Sequence, residues 1–224
     1  MKHRNARSTL IASSLVVAAL ASGSAHAVLQ GRDLNGSAAS FEAYYDTDLD
    51  ITWLADANYA KTSGYDADGR MTWADATTWA AQLDINGYAD WRLPTTLQPD
   101  ASCGSQSGGV SYGYNCTGSE MGHLFYSELG GTAGQFIWAS ADSDVAKFTN
   151  LQSLLYWSAT EYAPGTGSAW TFVFGGYQDA IGKPTGYYAL AVSPGDVAAV
   201  PEAQTYALML AGLGLIGWRA RRRG

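Results

Sequence analysis

Basic residues are scarce wherever a folded domain would need them to hold an anion. Of 13 lysines and arginines, Arg219, Arg221, Arg222 and Arg223 stand at the C terminus and Lys2, Arg4 and Arg7 at the N terminus. Residues 28–200 keep six, against 19 carboxylates, a net charge near −13. So acidic a surface argues against nucleic acid and sulphated polyanions as bulk electrostatic partners. Histidine is scarcer: beyond residue 27 only His123 remains. No histidine or third cysteine stands at zinc-ligand spacing, which argues against a structural zinc site. No Gly-x-Ser-x-Gly elbow and no phosphate loop is present.

What is present is concentrated at the two ends. Lys2, Arg4 and Arg7 precede an apolar stretch from Leu10 to Leu20, followed by the small-x-small site Ala25-His26-Ala27. That is the pattern of a secretory signal peptide over 1–27, with a mature chain starting near Val28. At the other end, Tyr206 to Trp218 is an apolar stretch of 13 residues closed by the arginines. A membrane-crossing helix needs about 20 residues, reached here only by adding 200–205 and letting the arginines snorkel. The segment lacks a polar face, so an apolar C-terminal helix inserted in the membrane, at least transiently, is expected. The domain between would span 28–196, with a tail over 197–224.

The tail resembles the PEP-CTERM sorting signal of exopolysaccharide-producing Gram-negative bacteria. The residues that carry the resemblance are Val200-Pro201-Glu202, then 205–215 with its Gly212 and Gly214, then the arginines. Ala203 stands where the family usually has proline. The resemblance implies an exosortase-type processing enzyme as partner, and anchoring in the membrane or release to the surface or matrix.

Export also bears on the only two cysteines. Cys103 and Cys116 flank a Gly/Ser-rich insert, Gly104-Ser105-Gln106-Ser107-Gly108-Gly109. In an oxidising compartment a disulfide closing that loop would stabilise by roughly 3 kcal/mol. Two free thiols or a metal-binding pair are the alternatives.

Along the domain, Phe41 to Tyr45 and Ile51 to Leu54 read as strands, joined by the acidic turn 46–50. Met71 to Ile85 reads as a helix with Thr72 and Asp75 at capping-box spacing and Asn86-Gly87 as its stop. Trp73, Ala76, Ala80 and Leu83 form its apolar stripe. Trp91-Arg92-Leu93 is a short buried strand ended by Pro94. Ser119 is expected to cap a second helix running to Leu129. Strands follow at Tyr156 to Thr160, Ala169 to Phe174 and Tyr187 to Val192. Strands, two helices, then strands define an α+β class with short antiparallel sheets.

Several of these patterns together resemble the Lcl C-terminal domain family, a family grouped with C-type-lectin-like folds. They are 51–60, 71–76, the Asn86 to Thr95 stretch with Trp91-Arg92-Leu93-Pro94-Thr95, Ser119 to Leu124, Tyr156-Trp157-Ser158-Ala159-Thr160, and 169–172. The resemblance covers roughly 40–196 and implies a C-type-lectin-like fold more strongly than any activity. The calcium-dependent sugar-binding signatures of that class, Glu-Pro-Asn and Trp-Asn-Asp, are missing.

Trp53, Trp73, Trp91, Trp157 and Trp170 are expected in the core, their indole N–H groups paired. Arg92 should point away from its neighbours, toward a structural carboxylate or a ligand. Tyr112, Tyr114, Trp138, Tyr162 and Tyr177 lie in Gly-rich loops and are the aromatic candidates for a ligand. Asp46, Asp48 and Asp50 alternate as hard-cation ligands do, and 66–69 is a second acidic turn, so calcium is a candidate cofactor. Neither completes an EF-hand loop. The expected function is a noncatalytic exported binding module for exopolysaccharide or a surface glycan. The alternatives are a structural matrix protein working through protein–protein contacts and a hydrolase built on His123.

Overall fold

The computed structural model describes residues 29–37 and 40–197. The expected signal peptide, the apolar tail helix, Pro201 and Glu202 lie outside the described residues. Among the described residues, no helix is long and apolar enough to cross a membrane.

The architecture mixes helix and sheet, with antiparallel strands predominating. Strands β1 (Leu29–Arg32), β2 (Ala43–Asp46) and β3 (Ile51–Leu54) form an up-and-down sheet, and the last strand, β9 (Val192–Pro194), pairs with β3. The two ends of the described chain thus share one sheet. Helix α1 (Tyr59–Thr62) and helix α2 (Trp73–Gln82) follow. Then come a two-stranded hairpin, β4 (Ser105–Ser107) with β5 (Val110–Tyr112), and helix α3 (Glu120–His123). A meander of β6 (Leu155–Glu161), β7 (Ser168–Val173) and β8 (Tyr177–Gly182) makes the third sheet.

The apolar residues of β3, of β6 and of the segment before β9 divide between two cores because successive side chains point to opposite faces. Leu54, Trp157, Ala189 and Ala191 pack with Trp79, Trp91 and Leu93 beneath α2. Ile51, Trp53, Tyr156, Leu190 and Val192 pack with Phe125, Phe172 and Phe174 on the other side. Interdigitated large rings of this kind supply most of the apolar burial that holds such a domain.

Helix α2 begins as its sequence dictates. Thr72 is the N-cap, its hydroxyl accepting from the Asp75 amide at 3.3 Å and donating to the Asp75 carboxylate at 2.7 Å. It ends at Gln82, three residues before the expected Ile85. Asn86 and Gly87 (φ 56° and 92°) instead form the tight turn of a miniature hairpin, in which Ile85 and Tyr88 exchange both backbone hydrogen bonds. Two consecutive positive φ values at Asn-Gly favour that turn over a helix stop.

The second expected helix is shorter and changes character. Only Glu120–His123 is α-helical, and Leu124–Glu128 winds as a π-helical turn. Ser119 makes no side-chain cap; its hydroxyl accepts from the Leu97 amide instead. The expected strand over 187–192 reduces to isolated bridges, Tyr187 with Met71 and Tyr188 with Tyr156, before β9 begins.

Candidate functional site

The predicted core tryptophans are core. Trp53, Trp91, Trp157 and Trp170 are buried, and Trp73 is partly so. Their indole N–H groups donate to the Asp46 carboxylate (Trp53, 3.2 Å), Ser158 carbonyl (Trp73, 2.8 Å), Tyr88 carbonyl (Trp91, 2.8 Å) and Met71 carbonyl (Trp157, 2.9 Å). The buried rings are therefore not available as a ligand platform beyond the part of Trp170 that lines a cleft, and the partly exposed Trp73 ring is covered by Lys183 Nζ at 4.1 Å.

The loop aromatics behave differently, and the cysteine hairpin explains why. Cys103 and Cys116 form a disulfide. Inside that loop, Gly108 and Gly109 take positive φ and turn β4 into β5. Gly113 and Gln178 exchange backbone hydrogen bonds, which docks the hairpin against β8. This brings Tyr112 of β5 beside a cleft of about 470 Å³, lined also by Tyr162, Pro164, Trp170 and Asp179. Tyr162 meets Trp170 edge to face at 5.5 Å.

Beyond the cleft the aromatic surface continues. Tyr114 and Tyr177 contact edge to face at 4.9 Å. Burial first, then the neighbouring Asp179, Tyr112 and Tyr114, raise the Tyr177 hydroxyl above the ordinary tyrosine pKa, so it stays a neutral donor. Gly134 lies against Tyr114, where a β carbon would sit 4.0 Å from its hydroxyl, and its amide donates to the Gly175 carbonyl. Gly175 in turn underlies the Phe136 ring. Phe136 stacks on Trp138 at 4.7 Å and 12°, and the two are 43% and 57% exposed. Contiguous exposed aromatic surface of this kind marks an interaction site more often than isolated apolar residues do. Tyr114, Tyr177 and Trp138 thus fall on one strip, with Tyr162 at its cleft end. Phe136 was missed by sequence reasoning; it immediately precedes the short 3₁₀ turn Ile137–Ala139 that carries Trp138, and its nearness to that tryptophan was the available signal.

Arg92 lies elsewhere. Its guanidinium donates to both Glu120 oxygens, at 2.8 and 2.7 Å, and to the Leu93 carbonyl at 3.0 Å. Glu120 also accepts the Thr95 amide at 2.6 Å. The geometry is that of a clamp between α3 and the Trp91-Arg92-Leu93-Pro94 segment, which is not the expected strand: only Arg92 pairs, in an isolated bridge to Val192. A second, larger cleft of about 690 Å³ opens on the first sheet among Phe41, Tyr44, Asp56 and Tyr59. Neither cleft is lined by Arg92.

The acidic turn separates rather than converges. Asp46 is buried, while Asp48 and Asp50 are exposed, and the three do not gather as one ligand set. Asp50 instead accepts from the Tyr45 hydroxyl at 2.7 Å. Asp46 has two other neighbours: one donor atom each from Asp46, His123 and Glu128 lie within 4.8 Å of one another. His123 Nε2 is 3.1 Å from Glu128 Oε1. The hydrogen bond to Glu128, opposed by burial and aided by the Asp46 and Asp48 carboxylates, raises the imidazole pKa above its ordinary value. Glu128 was missed by sequence reasoning, although a carboxylate between Phe125 and Leu129 on an apolar segment is a warning of special use.

Comparison with known proteins bears on the tail alone. Residues 199–223 match the PEP-CTERM protein-sorting motif. The chain is therefore an exported surface protein. More particularly, it carries the tail that an exosortase sorts, anchored to the membrane or released outside. No curated protein matches the chain.

Proposed function

We propose that the exported domain is a noncatalytic binding module of C-type-lectin-like type that engages surface or matrix polysaccharide. The observation that carries this reading is the exposed, stacked Phe136–Trp138 pair continuing into Tyr114–Tyr177 and the Tyr112–Tyr162 cleft. Flat aromatic faces bury the apolar C–H faces of pyranose rings, while Tyr hydroxyls and Asp179 offer hydrogen bonds to sugar hydroxyls. The acidic surface favours neutral over anionic polysaccharide. Sorting by an exosortase delivers the domain to the compartment where such polymers lie.

Retention of the purified protein on immobilised exopolysaccharide and on a glycan array tests the reading. Trp138→Ala should weaken retention about tenfold, equivalent to one lost aromatic contact, with thermal stability unchanged. Absence of retention on every glycan, with specific capture of a matrix protein through the same strip, would support the structural-matrix alternative instead.

A further inference from the structure

We infer that Asp46, His123 and Glu128 form a buried structural site for a divalent transition-metal cation of the zinc class, tying the first sheet to the α3 segment. Asp46 ends β2, His123 ends α3 and Glu128 ends the π-helical turn. One donor atom from each lies within 4.8 Å of the other two, and the His123–Glu128 pair is already at 3.1 Å. Donors 2.0–2.2 Å from a tetrahedral zinc stand about 3.4 Å from each other. The site therefore needs Asp46 to move in by at most about 1.4 Å.

Three further observations point to a cation. The first is the π-helical turn. On an α-helix, residues five apart lie about 140° apart around the axis and cannot share a site. The i→i+5 winding of Leu124–Glu128 brings Glu128 beneath His123, and such turns recur at functional sites.

The second is charge. Asp46 is 0% exposed and Glu128 4%, yet the four ion pairs of arginine and lysine in the described residues go to Asp196, Glu120, Asp144 and Glu161. One imidazolium offsets only one of two buried carboxylates, and the three hydrogen bonds to Asp46 stabilise its charge without neutralising it. A divalent ion bound to neutral imidazole offsets both.

The third is the second shell. Asp46 is fixed by the Asp48 and Leu49 amides, which fill Oδ1, and by the Trp53 indole at Oδ2, which keeps one lone pair for a metal. Imidazole in the donor set selects zinc-like ions over calcium or magnesium, which prefer oxygen alone. Three protein donors leave the fourth tetrahedral position to a water. Neither of the two clefts is lined by these residues, so the ion would brace the fold and not meet a ligand bound there.

The exported chain, stripped with chelator, is titrated calorimetrically with Zn²⁺ and heated with and without it. One Zn²⁺ per chain and a raised unfolding temperature are expected. Glu128→Gln keeps an acceptor for His123 and should weaken Zn²⁺ binding more than about a hundredfold. Should that variant fail to fold, diethyl pyrocarbonate modification of the wild-type chain decides, mapped by peptide mass: Zn²⁺ should protect His123. Absence of stoichiometric binding, binding that leaves His123 reactive, equal protection by Ca²⁺, or unchanged affinity in folded Glu128→Gln would each overturn the site.

Discussion

Arg92 and Glu120 face each other fork to fork, through two nitrogen–oxygen contacts of 2.8 and 2.7 Å. Lysine keeps the charge but cannot make both contacts or reach the Leu93 carbonyl in the same geometry. Arg92→Lys should therefore cost about 1–2 kcal/mol, read as a fall of roughly 3–6 °C in the unfolding temperature. Glycan retention by the folded variant should be unchanged, because the clamp lies off the aromatic strip.

Gly122 sits where the α3 backbone presses on the disulfide loop. A β carbon there would be 1.8 Å from the Cys116 carbonyl oxygen, a backbone atom with nowhere to go. Gly122→Ala should lose about 3 kcal/mol or more, or fail to fold. Secretion yield and urea denaturation measure it, with Gly167→Ala, where no atom lies within 4 Å and the backbone is not left-handed, as the milder comparison.

The disulfide holds a hairpin with little apolar content of its own. Replacing Cys103 and Cys116 by serine should lower stability by about 2–4 kcal/mol in denaturant titration. Because the hairpin carries Tyr112 and leads into Tyr114, glycan retention should fall with it, even at temperatures where the rest stays folded.

In the metal-free protein, His123 makes stability depend on pH with a defined sign. Its folded pKa lies above the unfolded value of 6.5, through the bond to Glu128 and the Asp46 and Asp48 carboxylates. That contribution is fully present below pH 6.5 and is lost as pH rises through the folded pKa. Urea midpoints taken with chelator at increasing pH should decline over that interval, and His123→Gln should flatten this part of the profile.

The parts of the fold legible in the sequence are those where local chemistry and tertiary need agree. Ile51–Leu54 is buried on both faces and apolar but for Thr52, whose hydroxyl donates to the Gly195 carbonyl, and Thr72 with Asp75 starts α2 where capping predicts. The hairpin Ser105–Ser107 with Val110–Tyr112 was unreadable because its strands are mostly polar and held by β8 and the disulfide. Strand β8, with Gln178 and Asp179 inside it, likewise owes its form to the β7 ladder. The run Tyr187 to Val192 misled for the opposite reason: it is apolar because it threads between two cores, not because it pairs. The π-helical turn breaks the 3.6-residue period on which helix reading relies, so the meeting of His123 and Glu128 could not be inferred from spacing. Tyr114, Trp138 and Tyr177 were found as separate loop aromatics; only the glycine-lined approach of three loops makes them one surface.

Strand β9 ends at Pro194, and Asp196 is bound to Arg32 of β1 through two contacts of 2.6 Å. The sorting motif begins at residue 199. Two residues, 197 and 198, are then all the leash between a pinned point on the folded sheet and the segment an exosortase must read. Full extension gives about 3.5 Å per residue. The enzyme therefore meets the body of the domain almost at once. Either it accommodates the edge of that first sheet, or the Arg32–Asp196 latch and β9 must let go before the tail can be processed.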